Sequence, residues 1–489
     1  MNILRVHQGV LLIGAQTPAG NGEAMASRCP WDNTPLWQGA AASVEQVNQA
    51  VAAARAALPQ WLHVDRASYA RAFVTVLKSQ AQDFARVMAL ETARPLWETR
   101  TEVAAMVAKL DHSLAAQAAR RAETRVTTAD AVAITHFKPH GVAAVFGPFN
   151  MPGHLPNGHI IPALLAGNTI VFKPSEKTPH SGEFMCQLWR QSGLPPGVLN
   201  LVQGPASVGE ALAQNPDLDA VFFTGSVAVG QALQRLQLQY PHRMLALELG
   251  GNNPLVIFNC GDHRAAAYTA LTSAFLTAGQ RCTCARRLIV GPSDHPVIAE
   301  LVTMIQSMRI AGPLDTPEPF MGSLISPDAA DVVLAAQNRL LSAGGKIVLQ
   351  ASRIAGHDAG LTPGIIDMTD VPNPPDTEIF GPLVQLIRVP DFYSALQEAN
   401  KTRFGLSAAL LSDRRELFQQ FYQHVRAGVI NWNRPTNGAS SALPFGGIGL
   451  SGNHRPSGAW AADYCSYPIA TMETEKLTAP EKPAPGVSL

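Results

Sequence analysis

The sequence predicts a large α/β protein built from two successive units of alternating strands and helices. Three observations support this prediction. The 489 residues exceed the usual size of one domain. From about residue 142, short apolar runs alternate with helical segments, which is the pattern of parallel sheets covered by helices. Hydrophobic residues make up 46% of the chain and charged residues 15%, which suits large buried cores and excludes general disorder.

The predicted elements fall into three consecutive stretches. From Val44 to about Arg121, apolar residues recur three and four positions apart, which predicts helices. A first α/β series follows, with helices at Pro156–Leu165 and Ser226–Gln239 and strands at Val142–Phe146, Thr169–Lys173, Val198–Val202, Ala220–Thr224 and Met244–Leu247. A second series has a helix ending at Thr277, a helix at His295–Met308, and strands at Leu255–Phe258, Leu288–Val290, Leu383–Val389, Ala408–Leu411 and Val429–Trp432.

The charge balance and the two ends of the chain limit the expected partners and location. The 37 Lys and Arg residues equal the 37 Asp and Glu residues, which argues against a nucleic-acid binder or a polybasic membrane anchor. The apolar run in residues 1–20 is short and followed by Pro and Gly, so it predicts a first strand rather than a signal peptide. Six scattered cysteines indicate reduced thiols, and we expect a cytoplasmic protein with a Pro-rich surface tail at 477–489.

The segment Gly279–Cys284 contains two cysteines separated by one residue. A metal site would need companion ligands at suitable spacing, and we find no C-x-x-C or H-x-x-x-H that would serve as a companion to this pair, so no metal is predicted. Cys282 is either a structural cysteine or a nucleophile whose pKa is lowered by three nearby arginines, Arg281, Arg286 and Arg287.

Three other polar segments each follow a predicted strand. Glu248 ends an apolar strand before two glycines, so it is either satisfied by turn amides or acts as a general base. Asn150, after a Gly-Pro turn, either forms the turn or donates to a developing oxyanion. Gly225 and Gly230 flank a helix start, which suits a bound phosphate but is a weak signal because it is not G-x-G-x-x-G.

Together these segments resemble the aldehyde dehydrogenase family, from about Trp37 to Thr471. The Glu-Leu-Gly-Gly-Asn segment that starts at Glu248 precedes the cysteine of Gly-Gln-x-Cys by 34 residues. Five further motifs of the family occur in the family's order: Gly-Pro-x-Asn-x-Pro (147–152), Phe-Lys-Pro-Ser-Glu (172–176), Thr-Gly-Ser (224–226), Glu-Ile-Phe-Gly-Pro (378–382) and Pro-Phe-Gly-Gly (444–447).

The resemblance implies a fold of three parts and an oligomer. A Rossmann-type NAD-binding domain would comprise residues 1–118 and 139–249, and an α/β catalytic domain residues 250–458. A small β element for oligomerisation, with the tail, would comprise residues 119–138 and 459–489. The family also implies a homodimer or homotetramer.

The resemblance also implies a role for each matching residue. Cys282 would attack the aldehyde, Asn150 would hold the oxyanion, and Glu248 would activate the water that hydrolyses the thioester. A carboxylate at Glu176 would repel a ribose 2′-phosphate, so NAD is expected rather than NADP. The positions expected to bind the cofactor are Lys173, Glu176, Gly225, Ser226, Val227, Ala228, Val229, Gly230, Glu378 and Phe380.

Four segments narrow the resemblance to the branch that oxidises N-succinylglutamate 5-semialdehyde in bacterial arginine catabolism: 152–159, 279–287, 447–457 and 461–465. A substrate with two carboxylates needs cations or amide donors. The candidates are Arg281, His154, Gly438, Ala439 and Ser440, with an ordinary ion pair as the alternative for Arg281.

The sequence departs from the family pattern at two places, and three alternative functions are considered. Gly449 replaces a frequent Lys, which favours the branch, and Ala93-Arg94 replaces a frequent Gly-Lys, with an expected effect on packing rather than chemistry. The rivals are a glutamate 5-semialdehyde dehydrogenase, a CoA-acylating enzyme, and a catalytically silent protein on this fold. Glu248 argues against CoA acylation, because a water-activating base has little purpose when CoA takes the acyl group.

Overall fold

The computed structural model describes residues 6–479 and 483–488. The first five residues of the predicted N-terminal strand therefore lie outside the described residues, as do four residues of the Pro-rich tail. The described residues of that tail are mostly exposed. No helix in the described ranges is long and apolar enough to cross a membrane.

The helices, numbered along the chain, are α1 (Val44–Trp61), α2 (Arg66–Ser79), α3 (Ala81–Thr92), α4 (Leu96–Arg120), α5 (His154–Ala166), α6 (Pro179–Gln191), α7 (Ala206–Gln214), α8 (Val227–Gln237), α9 (His263–Phe275), α10 (Pro296–Ser307), α11 (Pro327–Ser342), α12 (Phe392–Asn400), α13 (Arg415–His424) and α14 (Ala461–Tyr464).

The strands are β1 (His7–Gln8), β2 (Ala24–Arg28), β3 (Pro35–Ala40), β4 (Thr124–Thr127), β5 (Val132–Pro139), β6 (Val142–Phe146), β7 (Thr169–Lys173), β8 (Leu199–Leu201), β9 (Ala220–Gly225), β10 (Met244–Leu249), β11 (Asn253–Ile257), β12 (Ala285–Val290), β13 (Lys346–Leu349), β14 (Arg353–Ile354), β15 (His357–Leu361), β16 (Gly364–Asp367), β17 (Leu383–Arg388), β18 (Ser407–Leu411), β19 (Val429–Trp432) and β20 (Ser466–Glu473).

The first large sheet is parallel and has the order β10-β9-β6-β7-β8. Strands β6 and β7 are buried along their whole length because helices cover both faces. From β6 the chain runs outward through β7 and β8, then returns to build β9 and β10 on the other side. The order therefore reverses between β6 and β9, and open α/β sheets bind ligands at such a point, beyond the carboxyl ends of the strands.

The second large sheet has the order β13-β16-β17-β12-β11-β18-β19. Its strands are parallel except for β13, which pairs antiparallel with β16 at one edge. Two separate apolar clusters cover its two faces. The two doubly wound units predicted from the sequence are thus observed.

The smaller sheets lie outside these two units. Strands β4, β5 and β20 form an antiparallel sheet with β5 in the middle, so the end of the chain pairs with the segment after α4. All four residues of β4 are exposed. Near the N-terminus, β3 lies between β1 and β2, and β14 pairs with β15.

Two predicted boundaries were wrong for physical reasons. The helix predicted to reach Thr277 ends at Phe275, because Thr277 and Ala278 have positive φ angles of 58° and 53°. The strand predicted to begin at Leu288 begins at Ala285. The second and third residues of this strand are Arg286 and Arg287, which are buried and donate hydrogen bonds to backbone carbonyls, so they do not behave as surface residues.

Candidate active site

The carboxyl ends of the first sheet bring several predicted site residues to one edge. Asn150 follows β6, Lys173 ends β7, Gly225 ends β9, and Glu248 lies near the end of β10. Because β6, β9 and β10 are successive neighbours in a parallel sheet, their ends lie side by side. This edge contains the point where the strand order reverses.

Cys282 lies on a tightly bent loop between α9 and β12. Thr277, Ala278 and Gly279 are three successive residues with left-handed φ angles, a conformation that needs support from its surroundings. Buried Glu98 supplies part of that support, accepting hydrogen bonds from the backbone N–H of Thr277 at 3.0 Å and from its hydroxyl at 2.6 Å. On the other side, the amide of Asn253 donates to the carbonyl of Cys282 at 2.7 Å.

Cys282 is a partly exposed residue, and the surroundings of its thiol do not lower the pKa of that thiol. Burial and then the charge of Glu248 raise the pKa of Cys282 well above its usual range. The prediction that nearby arginines lower it was wrong. Arg286 donates to the carbonyls of Gly279 and Arg281, and Arg287 donates to the carbonyls of Asn252, Glu398 and Ala399, so their charges are engaged by the backbone.

Glu248 is a buried carboxylate with an elevated pKa. It is 1% exposed, and neither carboxylate oxygen has a hydrogen-bond partner of ordinary geometry among the described residues. Burial raises its pKa to about 7, although interactions with the Cys282 thiol and the Thr224 hydroxyl oppose that change. A carboxylate with this pKa, beside a thiol, is suited to exchange protons near neutral pH.

A loop near the C-terminus supports the strand that carries Glu248. Since β10 is an edge strand, its outer backbone groups need partners. The side chain of Asn453 accepts from the N–H of Leu247 at 2.7 Å and donates to the carbonyl of Leu245 at 3.1 Å. A Cβ at Gly452 would lie 2.1 Å from the Leu247 carbonyl, so only glycine allows this close approach.

Asn150 lies beside the nucleophile loop. Its side-chain amide donates to the carbonyl of Gln280 at 2.8 Å, which leaves its second N–H available. Arg94 donates to the Asn150 carbonyl at 2.9 Å and is paired with two buried acids of α4, Glu98 and Glu102. Arg94 thus contacts the backbone of the candidate oxyanion donor and links it to two buried acids of α4.

The turn between β9 and α8 fits a dinucleotide phosphate. Ser226 caps α8 by accepting from the N–H of Val229, and the first turn of the helix, Val227 to Val229, is partly or fully exposed. Added Cβ atoms at Gly225 and Gly230 would lie within 3 Å of the Phe223 and Leu249 side chains respectively, so a larger residue at either position would displace them. Ala228 is exposed in the same turn. These residues would hold a pyrophosphate at the positive end of the helix.

The other expected cofactor positions lie around the same edge. Burial lowers the pKa of Lys173 to about 8, and the nearby charge of exposed Glu176 opposes this. The carboxylate of Glu378 accepts from the N–H of Gly251 at 3.2 Å, on the turn that follows Glu248. Phe380 contacts Phe149 edge-on at 5.9 Å between ring centroids.

The structure separates the predicted substrate residues into two groups. Arg281 forms an ion pair with Glu98 at 3.1 Å and donates to the Thr277 hydroxyl at 2.8 Å, so the ion-pair alternative describes its side chain. His154 lies within electrostatic range of Arg281, and burial lowers its pKa to about 4, so it is neutral.

The loop with Gly438, Ala439 and Ser440 is exposed. It is held to β19 by Asn431, whose side-chain amide donates to the carbonyl of Gly438 at 3.3 Å. No contact described for these three residues joins them to Cys282.

A sequence profile described as the aldehyde dehydrogenase family matches residues 17–468. The chain belongs to the aldehyde dehydrogenase family.

Relatives and solved structures agree with this membership. The chain is 52% identical to an N-succinylglutamate 5-semialdehyde dehydrogenase of Chromobacterium violaceum, over 98% of this chain and 99% of that protein. It is 48% identical to a protein of the same name from Yersinia pestis, over 98% of this chain and 96% of that protein.

Solved aldehyde dehydrogenase structures have the same fold. An NAD-dependent aldehyde dehydrogenase from Sinorhizobium meliloti superposes with a TM-score of 0.92 at 27% identity, over 98% of this chain and 97% of that one. An E. coli enzyme described as NADP dependent superposes with a TM-score of 0.90 at 29% identity, over 96% of this chain and 98% of that one. The predicted aldehyde dehydrogenase fold is confirmed, and this aldehyde dehydrogenase uses NAD or NADP to oxidise an aldehyde.

Sequence reasoning missed the residues that support this aldehyde dehydrogenase site. Arg94, Glu98 and Glu102 are spaced by four residues and so share one face of the chain around the start of α4, where a polar stripe beside apolar residues was a usable signal. Asn253 and Asn453 gave no such signal. Each acts through backbone groups that are distant in the sequence.

Proposed function

We propose that this aldehyde dehydrogenase oxidises N-succinyl-L-glutamate 5-semialdehyde to N-succinyl-L-glutamate with NAD, in the succinyltransferase route of arginine catabolism. The observation that carries the proposal is near-full-length identity of about half to relatives bearing that name, together with Cys282, Glu248 and Asn150 around one sheet edge. The close spacing of a thiol, a carboxylate of pKa about 7 and a free amide N–H is what acyl chemistry on cysteine requires.

Each residue has one task in the proposed reaction. The Cys282 thiol is neutral, so it releases its proton to solvent as its sulfur attacks the aldehyde carbon. The second N–H of Asn150 and the backbone N–H of Cys282 stabilise the oxyanion of the thiohemiacetal. When bound, NAD supplies the hydride acceptor. Glu248 then takes a proton from water, whose oxygen attacks the thioester, and passes that proton to the sulfur of Cys282, which leaves as the thiol.

We propose NAD rather than NADP because of the charge at the end of β7. Glu176 is exposed there, close enough to Lys173 for their charges to interact. A carboxylate at the ribose would repel a 2′-phosphate, whereas two ribose hydroxyls can hydrogen-bond to both side chains.

The nearest rival substrate is glutamate 5-semialdehyde, which lacks the succinyl carboxylate. A panel of semialdehydes, each tested with NAD and with NADP and scored by absorbance of the reduced cofactor, tests the proposal. The expected result is the highest kcat/KM for the succinylated substrate with NAD. A higher value for the unsubstituted glutamate semialdehyde would overturn the substrate, and no turnover with any aldehyde would favour a silent protein.

The small sheet of β4, β5 and β20 supports the proposal of a homodimer or homotetramer. It is an antiparallel sheet with an exposed strand and with exposed apolar side chains at Val126, Tyr467 and Met472. Light scattering during size-exclusion chromatography should give a multiple of 52.1 kDa. All six cysteines are free, which suits the proposed cytoplasmic location.

A further inference from the structure

Behind the candidate base, three buried side chains form a chain of hydrogen bonds that the proposed reaction does not use. The Tyr464 hydroxyl lies 2.6 Å from Nδ1 of His159, and Nε2 of His159 lies 3.1 Å from the Thr224 hydroxyl. Thr224 is the residue of β9 directly paired with Glu248 of β10. The four residues come from α14, α5, β9 and β10, and each is at least 90% buried.

The direction of this chain follows from the donors and acceptors available. His159 is neutral, because burial and the charge of Lys109 lower its pKa to about 3, so it carries a single ring N–H. Burial raises the pKa of Tyr464, so this residue keeps its proton. The Tyr464 oxygen accepts from the backbone N–H of Ser457 at 3.4 Å, which leaves its O–H to donate to Nδ1.

With Nδ1 as an acceptor, the ring proton must be on Nε2, and Nε2 donates to the Thr224 oxygen. The Thr224 proton is then free to point at the Glu248 carboxylate, whose two oxygens have no hydrogen-bond partner of ordinary geometry among the described residues. In the reverse direction, the acceptor left to the Tyr464 hydroxyl among the described residues would be the nearby thiol sulfur of Cys465, and thiol sulfur is a weak acceptor. Glu248 would also lose its donor.

We propose that Tyr464 and His159 are positioning residues that, by setting the direction of this chain, turn the Thr224 hydroxyl towards Glu248 as a hydrogen-bond donor. The inference rests on the proposed role of Glu248 as the base for hydrolysis. The other titratable groups that face Glu248 are Cys282 on the nucleophile loop, Glu378 beyond the Gly250 turn, and Tyr464 itself. Lys109 of α4 faces His159.

A donor to a carboxylate favours its charged form, so removing the donor raises the pKa of Glu248. The hydrogen bond to a charged group corresponds to a change of about one to two pKa units. Thr224→Val removes the hydroxyl and keeps the shape, and Thr224→Ser keeps the hydroxyl. Tyr464→Phe removes the donor to Nδ1, which releases the tautomer of His159 and lets Nε2 accept the Thr224 proton.

The test is the acid limb of the steady-state rate against pH, measured with NAD and the best aldehyde of the panel. Thr224→Val and Tyr464→Phe should each move the limb to higher pH by up to two units, and Thr224→Ser should restore it. His159→Gln, which keeps an amide donor near the place of Nε2, should lie closer to wild type than His159→Leu. Circular dichroism establishes that each variant is folded. If Tyr464→Phe misfolds, the proposal is tested by comparing Thr224→Val with Thr224→Ser and His159→Gln with His159→Leu.

A uniform loss of rate at every pH, with the limb unmoved in Thr224→Val, would overturn the inference and leave only a packing role. Glu248→Gln separates this failure from failure of the base assignment. If Glu248→Gln keeps the limb, the base assignment fails; if it abolishes the limb while the Thr224 and Tyr464 variants leave it unmoved, only the positioning role fails.

Discussion

The ionisation of Glu248 should set the pH dependence of turnover. The pKa of about 7 means that about 10% of the carboxylate is ionised at pH 6, half at pH 7 and about 90% at pH 8. The base must be deprotonated to accept a proton from water, so the hydrolysis rate should fall as pH falls. The steady-state rate should therefore rise about fivefold from pH 6 to pH 7 and about twofold from pH 7 to pH 8.

Glu248→Gln tests this reasoning, because glutamine keeps the size of the side chain and cannot accept the proton. The assay is a stopped-flow record of NADH formation over pH 6–8, separating the burst from steady turnover. The variant should show a burst followed by turnover at least a hundredfold slower, with no acid limb. An equal loss in burst and steady rate would mean that Glu248 acts on the thiol or on packing, and would refute its assignment to water.

The remaining predictions concern the nucleophile, the cofactor and the substrate. Cys282→Ala should abolish oxidation while NAD binding, followed by quenching of protein fluorescence, stays near wild type; Cys284→Ala, which removes a buried thiol, should stay active. Glu176→Ala should lower the ratio of kcat/KM for NAD over NADP, and an unchanged ratio would locate cofactor choice elsewhere. Because Arg281 is paired with Glu98, which holds the nucleophile loop, Arg281→Ala should lower kcat/KM for the succinylated substrate and for a short neutral aldehyde alike. A loss of about ten- to a hundredfold confined to the succinylated substrate would mean instead that Arg281 forms a charge-assisted bond to a substrate carboxylate.

Much of the fold could be predicted because buried parallel strands have a strong local pattern. The bounds of β6, β7 and β19 agree with the predicted ones. The errors arise where tertiary contacts override local preference. At Thr277 and Ala278, positive φ angles end the helix early, and they are tolerated because Glu98 of another helix holds the loop.

The candidate site shows the same division. Motif spacing predicted which residues reach the sheet edge, because strand ends converge whatever the side chains are. Motif spacing did not predict whether the guanidinium groups near Cys282 in the sequence are directed towards its thiol or away from it. Arg286 and Arg287 are close to Cys282 in sequence, but each donates its hydrogen bonds to backbone carbonyls, and the pKa of the thiol is not lowered. Only the three-dimensional positions of those carbonyls decide this.

The energetic cost of Glu248 explains why the surrounding backbone is so constrained. Raising the pKa of a carboxyl group from 4.5 to about 7 means that ionising it in the folded protein costs about 3 kcal/mol more than in the unfolded chain. This cost is absent below pH 4.5 and complete above pH 7, where the base is in its working form. An edge strand carrying such a group would gain by moving it towards water. Two contacts hold β10 in place against this tendency. The side-chain amide of Asn453 bonds to the backbone of Leu247 and Leu245, and Gly452 packs closely on the Leu247 carbonyl. The strand therefore stays in the sheet, and Glu248 stays buried with its raised pKa.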